Sequence, residues 1–248
     1  MIQVAVLFLY LLYSLVLAQV ADLGLLRNRI EQGDYLSAIP RLEAHIRARP
    51  SDAEAFFLLS RALYLSGGTV NLSRSEDAIN QCFRLSSLPK AEYYWQRGLV
   101  RASNNRLKEG LLDLRVAASS NVRATPKELV RYAMDWGAIA WRSGDLAQAL
   151  EAYRRASRLD PNQPLALLHQ GTLLVATNNP SEAESVLTKA IGLMQTPKLH
   201  PSLPEAFYWR GRALELLGKP DAAKENYRRA LEFNPNHSAA KAALEALR

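Results

Sequence analysis

The chain has 248 residues, with 31 Lys and Arg against 24 Asp and Glu, a net charge of +7. Hydrophobic residues make up 48% and charged residues 22%, which is the balance of a folded chain and too apolar for a disordered one. Twelve Gly and twelve Pro exclude collagen-like and low-complexity readings, and the lone Cys82 excludes an intrachain disulfide framework or a Cys-based zinc site.

Residues 1–18 carry no charged side chain, and the run from Val4 to Ala18 is almost wholly apolar. A run of about 15 residues has the size of a signal-peptide core and falls short of the ~20 needed to span a bilayer. Val16-Leu17-Ala18 suits signal peptidase, so residues 1–18 are read as an export signal cleaved after Ala18. No Lys or Arg precedes the run, and Arg27 and Arg29 follow it closely. That charge order leaves an uncleaved membrane anchor, or a buried first helix, as alternatives. The expected location is outside the cytoplasm: periplasmic, secreted or membrane-tethered.

Beyond Gln19 the chain repeats itself. Short turns at Gly33-Asp34-Tyr35, Gly144-Asp145-Leu146 and Gly218-Lys219-Pro220 each stand 17 residues before a proline, at Pro50, Pro161 and Pro235. That is half of a period of about 34. Small residues recur at Gly98, Gly137, Gly171 and Gly211, and again at Ala38, Ala78, Ala149, Ala183 and Ala223. Tyr153, Leu187 and Tyr227 follow at a fixed offset. The small residues let two helices approach closely, the large ones fill the space between neighbouring units, and each proline stops a helix.

This pattern resembles the tetratricopeptide repeat (TPR) family across essentially all of residues 19–248. The resemblance implies an all-α, right-handed α-solenoid of about six helix pairs. Units are expected at 19–52, 53–90, 91–124, 130–163, 164–197 and 204–237, with a capping helix over 238–248 whose N-terminus Ser238 would cap. Departures are visible. About six extra residues fall in the turn Gly67–Ser75, Gly110 replaces the usual Ala, Arg97 and Arg101 stand at usually apolar positions, and Pro40 lies inside a helix.

In this family the first helix of each unit lines a concave groove that holds a peptide or helix of a partner. A face at i, i+4 and i+7 selects Phe57, Arg61 and Tyr64, then Trp95 and Leu99, Met134 and Trp141, Leu168, and finally Tyr208 and Arg212. Aromatics and Arg dominate binding interfaces, so this line is the candidate partner-binding groove. The same residue types also serve ordinary packing between helices. The Lys and Asn pattern with which some family members grip a C-terminal carboxylate is absent from these positions.

Charge is concentrated between Arg84 and Arg131, where ten Lys and Arg face four acids. Arg97, Arg101, Arg106, Lys108 and Arg115 form the candidate basic patch for an acidic protein segment or anionic surface. Arg101 and Arg106 have an alternative use, pairing with Glu109 and Asp113. Export argues against nucleic acid. No G-x-S-x-G, phosphate-binding Gly loop or H-E-x-x-H occurs, so neither catalysis, nor a cofactor, nor a metal is expected. Cys82 and the four His are read as structural or surface residues. Asn71 and Asn236 begin glycosylation triplets, which matter only in a eukaryotic secretory pathway. The expected function is a non-enzymatic protein-interaction scaffold or assembly factor of the cell envelope. The alternatives are a self-assembling structural protein and a membrane-surface adaptor that uses the basic 84–131 face.

Overall fold

The computed structural model describes residues 21–120, 124–195 and 199–247. The expected signal segment 1–18 lies outside them. The described residues contain thirteen α-helices and no strand, arranged as six helix pairs and a last single helix. They fall into two compact units divided between Ala124 and Thr125.

The first unit holds α1 (Leu23–Glu31), α2 (Tyr35–Ala48), α3 (Ala53–Ser66), α4 (Thr69–Leu85), α5 (Ala91–Ser103) and α6 (Leu107–Ser119). Asp22 and Asp52 cap α1 and α3, each accepting two backbone N–H bonds that the first turn cannot satisfy internally. The nine-residue stretch Gly67–Ser75 is not a long turn. Only Gly67 and Gly68, both at positive φ, turn the chain, and Thr69–Ser75 lengthens α4. Burial explains why those residues stay helical: Ser75 reaches back into the core, donating to the Ser60 carbonyl at 2.8 Å and lying 2.9 Å from its hydroxyl.

The second unit holds α7 (Pro126–Arg142), α8 (Leu146–Leu159), α9 (Pro164–Ala176), α10 (Pro180–Gln195), α11 (Leu203–Leu216), α12 (Pro220–Phe233) and α13 (Ser238–Ala246). Proline stands in the first turn of α7, α9, α10, α11 and α12, where its fixed φ suits a helix and its missing N–H costs nothing. Helix α7 starts at Pro126, before the expected unit start at 130, because Thr125 and Glu128 form a reciprocal capping box. His237, rather than Ser238, caps α13: its Nδ1 accepts the Ala240 N–H at 3.3 Å.

The recurring glycines have a direct steric reason. A methyl group at Gly137 would sit 2.8 Å from the Tyr153 ring, and one at Gly98 would sit 2.7 Å from Leu114. Gly171 meets Leu187, and Gly211 meets Tyr227, in the same way. These large side chains therefore fill the space over the glycine of their own pair, not primarily the space between neighbouring pairs as the repeat pattern suggested. Tyr153 does both, since its ring also packs 4.9 Å from His169 on α9. Gly110 is also explained: a methyl there would meet the Gly98 carbonyl at 2.8 Å, so α5 and α6 approach backbone to backbone.

Candidate functional site

In the first unit the candidate groove residues lie within a polar network. Arg27 on α1 pairs with Glu54 on α3 and, at 3.0 Å, with Glu92 on α5. Lys90 donates to Glu54 at 2.7 Å, and the Tyr93 hydroxyl donates to the same oxygen at 2.9 Å. Burial works against charge here, but Lys90 and Arg27 outweigh it and hold the Glu54 carboxyl below its ordinary range. Arg27 is held charged by Glu92 and Glu54 against the same opposition from burial. Two cations and two carboxylates thus neutralise one another across three first helices.

Phe57 and Trp95 correct the sequence reading. They are 3% and 4% exposed, so they cannot anchor a ligand without moving. Phe57 packs 5.1 Å from the Tyr93 ring with Arg27 over its face, and Arg61 covers Trp95 at 4.4 Å. Arg61 also donates to Gln96 at 3.3 Å. Tyr64 and Leu99 keep partial exposure.

The expected basic patch is corrected in the same way. Arg97 grips buried Asp113 with two bonds of 2.8 Å and lies 3.5 Å over the Phe83 ring. Arg101 joins the same carboxylate at 2.7 Å. Arg106 pairs with Glu76 and Glu109. Three of the five cations are therefore held by acids of their own unit, the alternative pairing that the sequence left open. Lys108 and Arg115 remain exposed. Cys82 is fully buried, and burial together with Glu54 pushes its thiol up to about 12, well away from reactive thiolate.

The second unit differs. Leu168 is 3% exposed and belongs to the core, which overturns its place in the groove. Met134 and Trp141 on α7 are only partly buried, and Ala138 between them is exposed. Trp141 lies edge-on to the rings of Tyr153 and His169, at 6.4 and 5.8 Å. Burial holds the His169 pKa below its ordinary value, so the ring acts as a neutral aromatic surface. Tyr208 packs against Trp209, Tyr227 and His237, and Arg212 pairs with Glu215 at 3.3 Å.

A cavity of about 610 Å³ opens at the N-terminal end of α7. Val130, Met134 and Leu159 give it apolar walls, and Lys127, Arg131 and Asp160 give it charge. Sequence reasoning missed it. Its residues come from the first three turns of α7 and from the end of α8 with the α8–α9 turn, which only folding brings together. Among the described residues, no three or more His, Cys, Asp or Glu are grouped to hold a metal, and no helix is long and apolar enough to cross a membrane.

The fold and its glycine-aromatic packing define a helical-repeat protein. The chain belongs to the tetratricopeptide repeat family: models of that repeat match residues 23–81 and 134–198, and residues 204–237. It is 31% identical over 121 residues to the human protein O-mannosyl-transferase TMTC3, covering 48% of this chain and 12% of that protein. Thus the chain spans only about an eighth of that relative's length. Among solved structures it is similar to YrrB, described as a TPR protein with an unusual peptide-binding site, at a TM-score of 0.67 and 20% identity, covering 82% of this chain and 97% of that one. It is also similar to Pseudomonas aeruginosa pilF, at 0.67 and 17%, over 91% and 96% of the two chains. PilW, a type IV pilus biogenesis factor, gives 0.63 and 16% identity over 93% and 98%. At such identities these likenesses show the fold.

Proposed function

We propose that the protein is a non-enzymatic scaffold that docks a segment of a partner protein on the inner stripe of its second unit. The carrying observation is that Met134, Ala138 and Trp141 share one face of α7 and all keep exposure, whereas Phe57 and Trp95, which open the matching faces in the first unit, are covered. Half-buried aromatics beside exposed small residues favour docking, because a partner buries their remaining surface without unfolding anything. A photo-crosslinking amino acid at Ala138 is expected to capture a partner in the native cell, while one at exposed Glu151 on α8 is not. Capture at both positions, or at neither, overturns the reading.

The setting is proposed to be the cell envelope, with residues 1–18 acting as an export signal. The apolar, uncharged run ending in Val16-Leu17-Ala18 supports this. Mass spectrometry of the native protein is expected to find a chain starting at Gln19. A mature chain that retains Met1 overturns cleavage.

A further inference from the structure

The cavity at the start of α7 has a chemistry of its own. Its apolar side is Val130, Met134 and Leu159, and its charged side is Lys127 and Arg131 with Asp160. A volume of about 610 Å³ lies within the range of roughly 300–1,000 Å³ typical of sites that hold a ligand. The cavity continues a single stripe on α7. Lys127, Arg131, Met134, Ala138 and Trp141 follow one another at helical spacing along a helix of 17 residues. The stripe is cationic at the N-terminal end and apolar toward the C-terminal end.

The charge balance of the lining favours a carboxylate at the cationic end. Lys127 and Arg131 outnumber Asp160 there. The N-terminus of α7 itself is already answered by the Glu128 carboxylate of its capping box, so the lining side chains carry the preference. Two cations beside an acid and an apolar wall do not match a polyanion, which needs a row of cations along its backbone. They match a mixed segment.

We infer that this cavity receives a partner segment in which an Asp or Glu stands beside a large apolar side chain, the carboxylate facing Lys127 and Arg131 and the apolar group facing Val130, Met134 and Leu159. This rests on the docking role proposed above and names the chemistry of the docked segment. The extra turn of α7 adds a wall to the site. The capping box Thr125–Glu128 starts the helix at Pro126, and Pro126 and Lys127 form part of the cavity wall.

The test uses the full chain against a displayed library of random dodecapeptides, with affinities of enriched peptides measured by fluorescence polarisation. Enriched peptides are expected to carry Asp or Glu within two residues of Leu, Ile, Phe or Met. Lys127→Glu is expected to weaken them at least about tenfold. An acid in the first turn of a helix is well tolerated, so this variant keeps the fold, and circular dichroism checks it. Apolar peptides that lose affinity in Trp141→Ala but not in Lys127→Glu would overturn the inference and leave the docking role standing. Acidic peptides indifferent to Lys127→Glu would also overturn it. A library that yields no binder to the folded chain counts against both.

Discussion

In the first unit Arg97 meets Asp113 sixteen residues later; in the second, Arg210 meets Asn226 at the same separation. The geometry is shared: a first-helix guanidinium reaches a buried acceptor on the second helix of its pair. The chemistry is not. Asp113 is charged and holds a second cation, Arg101, whereas Asn226 is neutral, and burial lowers the Arg210 pKa with only Glu184 opposing. The contrast extends across both units. The first joins its first helices through Arg27, Glu54, Glu92 and Lys90, and through Ser60 and Gln96. The second relies on proline-started helices and on rings set over glycines. One helix-pair architecture thus accepts two kinds of cement. Where the cement is ionic, Phe57 and Trp95 are covered; where it is apolar, Met134 and Trp141 keep partial exposure.

The largest expected effect follows from that difference. Asp113→Asn removes the buried carboxylate that half-buried Arg97 and Arg101 share, leaving Arg101 only Glu109 at 3.9 Å, and is expected to cost about 3 kcal/mol in urea unfolding. Asn226→Ala removes one bond to a charged group and should cost about 1–2 kcal/mol. Equal losses would break the comparison. Next in size, Gly211→Ala drives a methyl into the Tyr227 ring and is expected to cost about 2 kcal/mol by overpacking. A neutral melting temperature would show that the ring can move aside.

Acid should separate the two chemistries more gently. In the fold His169 holds its proton less well than the ordinary value of 6.5. Falling pH therefore protonates the unfolded chain first, and the stability His169 contributes is intact above about 6.5 and lost below it. The Glu54 carboxyl is held below 4.5, so its contribution is present above 4.5 and disappears as pH falls through the folded value. His169→Phe is expected to remove a fall in melting temperature between pH 7.5 and 5.5 that Glu54→Gln leaves in place. The smallest effect is shared. Asn105 and Asn178 turn the chain at φ of 61° and 56°, and changing either to Gly should stabilise by no more than about 0.5 kcal/mol. A much larger gain at one of them would mean that its turn is strained by its own unit.

Repetition made much of this legible. The glycines at 98, 137, 171 and 211 and their partners on the second helices recur at fixed offsets, because each helix pair solves the same packing problem locally. Asn105 and Asn178 escaped notice because they take the place of a turn glycine without looking like one. The groove was legible only in direction. Spacing of i, i+4 and i+7 put Phe57, Trp95 and Leu168 on the same kind of face as Met134 and Trp141, but could not say that Tyr93, Arg61 and the second-unit core would cover them. The basic patch failed because Asp113, Glu109 and Glu76 already hold Arg97, Arg101 and Arg106, a use the sequence had left open for Arg101 and Arg106. Partners such as Glu92 for Arg27, 65 residues away, are chosen by how pairs stack.

The sequence by itself therefore determined the repeat, the helix pairs and the places where backbones must come close, since these depend on contacts within about 34 residues. Only the tertiary structure decided which aromatics are covered, that Arg27 pairs across successive helix pairs, and that the start of α7 and the α8–α9 turn enclose a charged, apolar-walled cavity. Those outcomes depend on neighbours brought together by packing between successive helices, and no spacing within one repeat carries that information.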